Sequence, residues 1–295
     1  MPESMKKPIL ILILMWTACM GAYPQQIFDV HIHGSDNIPE QIKMLESQGV
    51  YKAAISTSWS LQVQYQGNQE ISILQGLMMP CPNGKVPYSS QVCFEHQGDF
   101  PHPSWVEQLM KENKIHFLGE VLTQYYGISP SDPKMYPYYE LAEKYGIPVG
   151  IHFGLAGPDH GAPNFKVSLG TPMLLEEALI KYPKLKFWIM HAGAPFLDDT
   201  MAIMKYYSQV YMDISALNNP YIFPESDFQF VMKRLIDAGF EDRIMFGSDN
   251  GPLKQMITNM EKLDFLTDIQ KQKIYYKNAE AFFNVTTGES RATHP

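Results

Sequence analysis

The sequence predicts a (β/α)8 TIM barrel with a C-terminal helical extension, on three observations. Short β-rich apolar runs alternate with longer segments of helical period after residue 22, the pattern of repeated βα units. The runs are continuously apolar, as in parallel strands covered on both faces. Eight of them occur, each followed by a helical segment, which is the complement that closes a barrel with its active site at the strands' C-terminal ends. An open doubly wound sheet is the structural alternative, but it gives no reason for chemically active residues on many separate strands to converge.

In chain order, the strands are expected near Ile27–His31, Tyr51–Ser56, Ile73–Met78, Ile115–Glu120, Val149–His152, Phe187–His191, Val210–Ile214 and Ile244–Gly247. The helices between them are expected near Pro39–Gln48, Leu61–Glu70, Pro103–Glu112, Lys134–Tyr145, Thr171–Tyr182, Leu197–Tyr207, Glu225–Ala238 and Leu253–Met260. Pro103 or Ser104 starts the third helix, and Gly170-Thr171-Pro172 supplies an N-cap followed by a first-turn proline. Gly146 and Gly239 stand where helices stop. Leu266–Phe283 is expected to add terminal helices on the outside of the barrel.

At 295 residues, 45% hydrophobic and 18% charged, the chain has the composition of one large globular core. Its formal net charge is -8, and its only arginines are Arg234, Arg243 and Arg291, so nucleic acid is not an expected partner. Residues 1–22 read as an export signal: Lys6 and Lys7 precede the apolar stretch Ile9–Trp16, and Thr17, Ala18 and Gly21 follow. That stretch is short for a bilayer span, which needs about 20 residues. Cys19 sits where a lipoprotein signal carries its acylated cysteine, although Trp16 stands where leucine is usual, and cleavage near Ala22 is the alternative. The expected location is the periplasm or a bacterial membrane surface, with lipid at Cys19 as the only membrane contact. Residues 23–295 then form a single domain. Cys81 and Cys93 share a Pro/Gly-rich loop and are expected to pair in an exported protein.

The chemistry is concentrated at strand ends. In Phe28-Asp29-Val30-His31-Ile32-His33-Gly34, the histidines two positions apart leave the same face of a strand. Glu120, His152, His191 and Asp249 close the fourth, fifth, sixth and eighth strands in the same way. One histidine at a strand end is more often a core or capping residue. Six metal-ligand types at the same edge of five strands make a metal centre. His96, His102, His116 and His294 fall in loops, at a strand start or in the tail, and take the structural reading; His160 with Asp159 is kept as a weaker substrate-loop candidate.

These residues resemble the amidohydrolase superfamily of metal-dependent hydrolases, especially its amidohydrolase-2 and TatD-like branches, over essentially the whole of residues 23–295. The resemblance implies that His31 and His33 are the first-strand pair, Glu120 the bridging ligand, His152 and His191 the fifth- and sixth-strand histidines, and Asp249 the eighth-strand aspartate. The segment Tyr276-Lys277-Asn278-Ala279-Glu280-Ala281-Phe282-Phe283 is similar to the amidohydrolase-2 C-terminal helix.

Two divalent ions fit this donor set: His31, His33 and Asp249 for one, His152 and His191 for the other, Glu120 between them. Zinc suits the mostly imidazole shell, with manganese, iron or cobalt as alternatives. The expected activity is hydrolysis of a small-molecule amide, lactone or other ester, or phosphoester by a metal-activated water, with Asp249 as proton acceptor. The resemblance also leaves a single-metal decarboxylase or hydratase in which His191 acts on the substrate. A non-catalytic metal-binding surface protein is the reading from outside enzymes. Trp59, Tyr125, Tyr126, Asn218, Asn219 and Asn250 follow strands closely and are candidates for the substrate pocket, with the long segment Pro80–Pro103 over it. No arginine follows a strand end, so a strongly anionic substrate has no evident clamp.

Overall fold

A computed structural model of the chain describes residues 26–67, 70–95, 98–156 and 162–285. The export signal, Cys19, His96, Asp159, His160 and His294 lie outside the described residues. Eight parallel strands stand side by side in sequence order: β1 (Ile27–His33), β2 (Val50–Ser56), β3 (Ser72–Met79), β4 (Phe117–Val121), β5 (Val149–Ile151), β6 (Phe187–Ile189), β7 (Val210–Asp213) and β8 (Ile244–Met245). The Val30 N–H donates to the Phe246 carbonyl at 3.0 Å and the Asp249 N–H to the His31 carbonyl at 2.7 Å. These bonds draw the last strand's exit onto the first, so the sheet curls into a barrel, as expected from the alternating pattern.

Each strand is followed by helix: α1 (Ile38–Ser47), α2 (Trp59–Gln62), α3 (Pro103–Lys111), α4 (Thr123–Tyr126), α5 (Tyr136–Tyr145), α6 (Glu176–Lys181), α7 (Leu197–Tyr206), α8 (Glu225–Asp237) and, after β8, α9 (Leu253–Glu261). Their ends follow from local chemistry. The Asn37 side chain accepts from the Glu40 N–H at the start of α1, and His102 accepts from the Ser104 N–H at the start of α3, so this histidine is a cap. Gly146 ends α5 in the left-handed region, φ 66°, where a side chain is disfavoured. Among the described residues, no helix is long and apolar enough to cross a membrane.

α4 was not expected from the sequence, and the expected helix Thr171–Tyr182 opens as a 3-10 turn, Pro172–Leu175, before α6; two further departures have a packing cause. The second helix does not run to Glu70: α2 is followed by one 3-10 turn, Val63–Tyr65. Tyr65 is buried with its hydroxyl 2.5 Å from Gln41 Oε1 and 2.8 Å from the Ser35 N–H, and Gly67 follows at φ 124°. A tertiary anchor and a non-helical glycine therefore override the helical pattern.

The terminal segment also departs from its expected place on the outside. It comprises α10 (Asp268–Gln272), a π-helical turn (Lys273–Lys277) and α11 (Asn278–Phe283). The Phe283 ring lies 5.4 Å from Phe28, 5.9 Å from Phe117 and 5.5 Å from Trp188; Phe282 lies 5.4 Å from Trp188 and 4.8 Å from Tyr211. Two adjacent rings reach residues of four different strands only where those strands converge, so α11 plugs the barrel at the end where β1 and β4 begin. The Tyr276–Phe283 pattern carried aromatic residues but not their direction.

The interior next to this plug has no slack. A Cβ on Gly150 would sit 2.3 Å from Trp188 Cζ2, and one on Gly76 2.3 Å from Phe117 Cζ. Gly150→Ala must push the indole, whose Nε1 donates to Asp213 Oδ2 at 3.2 Å. Overpacking of this kind costs about 1 to 3 kcal/mol. The expected result is a urea midpoint lowered accordingly, with an unchanged midpoint showing that the ring has room to move.

Candidate metal centre

β1 delivers the first two donors. Asp29, fully buried, uses Oδ1 to accept from the His31 N–H at 3.1 Å and the Ser248 N–H at 3.0 Å, tying β1 to the segment after β8. Burial pushes its pKa up to about 7. His33 Nδ1 stands 3.1 Å from the Ser56 carbonyl. A carbonyl only accepts, so Nδ1 carries the proton and Nε2 presents its lone pair to the barrel mouth. That lone pair meets Asp249 Oδ1 at 3.1 Å and Glu120 Oε2 at 3.4 Å. Three acceptors that close together need a cation between them. Without a metal a proton serves: burial opposes a charged His33, but the Asp249 bond and the Glu120 charge outweigh it and raise the pKa.

The other donors are aimed from behind. His31 Nδ1 lies 3.0 Å from Asp213 Oδ2 and 3.0 Å from Ser215 Oγ, while its buried Nε2 has no hydrogen-bond partner among the described residues and lies 3.8 Å from Asp249 Oδ1. Ser215 donates its single proton to Asp213 Oδ1 at 2.5 Å, so its oxygen accepts from His191 Nδ1 at 2.9 Å. His191 Nε2 is thereby left as a lone pair 3.8 Å from Glu120 Oε1. Asp213 also receives the His191 N–H at 3.0 Å and the Ser215 N–H at 3.0 Å. One buried carboxylate at the end of β7 thus orients two imidazoles. Such outer partners of metal-binding histidines fix the tautomer and the ring angle.

Glu120 occupies the middle. Its Oε1 is 2.6 Å from His152 Nδ1, which leaves His152 Nε2 buried without a partner among the described residues. Burial alone would raise the Glu120 pKa, but the His152 and His191 contacts hold it well below the usual carboxylate range. His152 is shifted down, chiefly by burial, so it is neutral and donates from Nδ1. Asp249 and Asn250 both have left-handed backbone, φ 49° and 52°, a region Asp and Asn tolerate better than most residues. His191 and Ala192 share it at 57° and 47°.

Among the described residues, two triads have donor atoms within 4.8 Å of one another, His31 with His33 and Asp249, and His31 with Glu120 and His191. Either can hold a metal ion, and orphaned buried imidazole nitrogens are what an ion would satisfy. His152 belongs to neither triad and reaches the group through Glu120. All six predicted donors therefore gather at one end of the barrel.

A cavity of about 380 Å³ opens over the group, lined by His33, Glu120, His152, His191 and Asp249 together with Tyr125. Val86 to Ser89 and Gln91 form part of its wall, in the long loop whose Cys81 and Cys93 are joined by a disulfide with Cα atoms 6.3 Å apart. A larger cavity, about 940 Å³, lies at the opposite end beside the starts of β2 and β3 and contains none of these donors.

Among the pocket candidates, Tyr125 lines the cavity and packs edge-on against His152 with centroids 4.7 Å apart. The others have different places. Trp59 packs on Trp105 and Tyr126 on Phe100. Asn218 donates to the Gly247 carbonyl and accepts through its own carbonyl from Asn259, Asn219 is buried and caps the Tyr221 N–H, and Asn250 grips both backbone groups of His33. Short polar side chains after a strand satisfy loop backbone before they meet a ligand. His116 accepts from the Gln75 N–H near the start of β4, away from the donors.

Sequence reasoning missed Asp213 and Ser215. The signal was present, because Asp213 closes the apolar run Val210–Met212 as Asp249 closes its own.

A family model described as Amidohydrolase matches residues 92–285. Among solved structures, an uncharacterized TIM-barrel protein from Bordetella bronchiseptica is similar with TM-score 0.62 and 14% identity, over 88% of this chain and 99% of that one. An amidohydrolase from Burkholderia multivorans with bound HEPES is similar with TM-score 0.58 and 10% identity, over 89% and 100%. A 5-carboxyvanillate decarboxylase from Novosphingobium aromaticivorans, complexed with manganese and a nitrobenzoic acid, follows with TM-score 0.53 and 13% identity, over 88% and 96%. At these identities the likeness speaks for the fold. No functionally curated protein matches the sequence.

Proposed function

The chain belongs to the amidohydrolase family of enzymes, and from that premise we propose that it is a metal-dependent hydrolase cleaving a small-molecule amide, lactone or other ester, or phosphoester. His31, His33 and Asp249 would hold one divalent ion, most simply zinc, and His152 and His191 a second, with Glu120 shared. Bound divalent ions supply a lowered pKa for water and withdraw electron density from the scissile group. The rest is done by side chains. Asp249, ionised and facing His33, accepts the proton of the attacking water and returns it to the leaving group. Asp213 and Ser215 keep His31 and His191 aimed, and Tyr125 with the disulfide-closed loop walls the substrate.

The observation that carries this reading is the position of Glu120, whose two oxygens reach different histidines: Oε2 faces His33 at 3.4 Å, and Oε1 faces His152 at 2.6 Å and His191 at 3.8 Å. A carboxylate that merely oriented one ring would not span both groups. The test is metal content by plasma mass spectrometry alongside hydrolysis of ester, amide and phosphoester panels. Wild type should carry two ions per chain, and Glu120→Gln one or fewer with activity lost. One ion in wild type, unaffected by Glu120→Gln, would refute the two-metal assignment.

A second reading, a single-metal decarboxylase or hydratase with His191 acting on the substrate, is favoured by one feature: His31 is common to both triads and His152 stands outside them. The solved decarboxylase with manganese supports the same alternative. Export is part of the proposal; the buried Cys81–Cys93 bond supports an oxidising compartment.

A further inference from the structure

We infer that the substrate is a small amine-bearing molecule whose cationic end is read by Asp36 at the cavity mouth; this rests on the hydrolase reading for the reacting end only. Of the described residues lining the cavity, none is lysine or arginine, and three are carboxylates: Asp36, Glu120 and Asp249. Glu120 and Asp249 are committed to the histidines of the centre, as their distances show. Asp36 is not. It lies in the loop between β1 and α1, exposed, three positions beyond His33 and in neither donor triad.

Its placement is fixed by neighbours that carry no charge. Gln91 Nε2 donates to Asp36 Oδ1 at 2.9 Å, and Ser58 Oγ donates to Gln91 Oε1 at 3.1 Å. This relay joins the β1 exit, the β2 exit and the long loop, holding the carboxylate at the rim without neutralising it. The rest of the lining mixes apolar side chains, Met78, Val86, Pro87 and Leu122 among them, with tyrosine rings and the hydroxyls of Ser56, Thr57 and Ser89. From its exposed rim to its buried floor the cavity therefore offers a carboxylate and then the donor cluster. An elongated molecule with a hydrolysable group at one end and an ammonium at the other matches that order. One with a carboxylate at the far end would meet Asp36 with no described cation to offset it, a like-charge contact that selects against it.

The test uses the zinc-loaded full-length protein and three hydroxamates that place the same chelating group at the centre and differ only in the tail: benzohydroxamic acid and its 4-aminomethyl and 4-carboxy derivatives. Calorimetric titration should give the 4-aminomethyl compound about fivefold tighter binding than the parent, the size of an exposed ion pair, and the 4-carboxy compound about fivefold weaker binding. Asp36→Asn should collapse that spread, and Asp36→Lys should invert it. Asp36 is exposed, so neither variant threatens the fold. Equal affinities, an order led by the 4-carboxy compound, a spread that survives Asp36→Asn, or no binding by any of the three would overturn the inference. If the predicted order holds but none of the ester, amide and phosphoester panels carrying the same 4-aminomethyl tail is hydrolysed, the hydrolase reading fails and the charge preference stands.

Discussion

Replacing Asp249 by Asn is expected to lower kcat by about 100-fold to 10,000-fold, the range that general-base catalysis supplies, while much of the bound metal remains. Asn keeps one side-chain oxygen beside His33 Nε2, and it tolerates the left-handed backbone at φ 49°, so neither the ligand position nor the turn is lost. What disappears is the charge. Burial works to neutralise Asp249, yet the hydrogen bond from His33 and the charges of His31 and His33 hold its pKa well below the usual range, so it is ionised and able to take a proton at neutral pH. Steady-state rates on an identified substrate, read with metal content, test this. Near-full turnover in Asp249→Asn together with abolition by His191→Ala would transfer the proton role to His191 and with it the case for the single-metal reading.

His33→Ala should empty at least one metal position and abolish turnover, because it removes the lone pair on which Asp249 and Glu120 converge. The fold should survive, since the Asn250 clamp acts on the His33 backbone, which alanine retains. Metal affinity in wild type should also fall with acidity, and the sign follows from His31. Burial opposes its charged form, but Asp213 at 3.0 Å outweighs burial and pushes the metal-free pKa up to about 10. A proton thus occupies the site through the neutral range and must leave as metal enters, so affinity rises by roughly tenfold per pH unit below that value. Chelator competition at several pH values measures both effects. Full metal occupancy in His33→Ala would remove His33 from the donor set.

The strand frame and the gathering of the six candidate donors were legible for one reason: a strand alternates, and its C-terminal end has a fixed place in a barrel. His31 and His33 share a face by spacing alone, and Glu120, His152, His191 and Asp249 needed only the rule that strand ends meet. Asp213 and Ser215 were harder, because they touch the imidazoles from behind and stand in neither donor triad, so no ligand count asks for them. Asn250 and Asn218 misled because proximity to a strand end says nothing about whether an amide turns to the pocket or back to the loop. Trp59 and Tyr126 found aromatic partners across loops, a choice set by tertiary packing. The second helix stopped early at Tyr65 for the same reason, since its hydroxyl is held by Gln41 and Ser35 from another part of the chain.

The plug of Phe282 and Phe283 has a consequence for the order of manufacture. A ribosome releases Phe28 near the beginning of the barrel and the rings that cover it near the end, after every strand has been made. Throughout that interval the rings of Phe28, Phe117 and Trp188 lack their cover, and β1 lacks the neighbour supplied by Phe246. Partly made barrels of this topology expose apolar surface and unpaired strand edges, the features that draw aggregation and chaperones. Closure waits for this terminal segment, and the candidate site, whose Asp249 N–H donates to the His31 carbonyl across that same seam, is completed in the same late step.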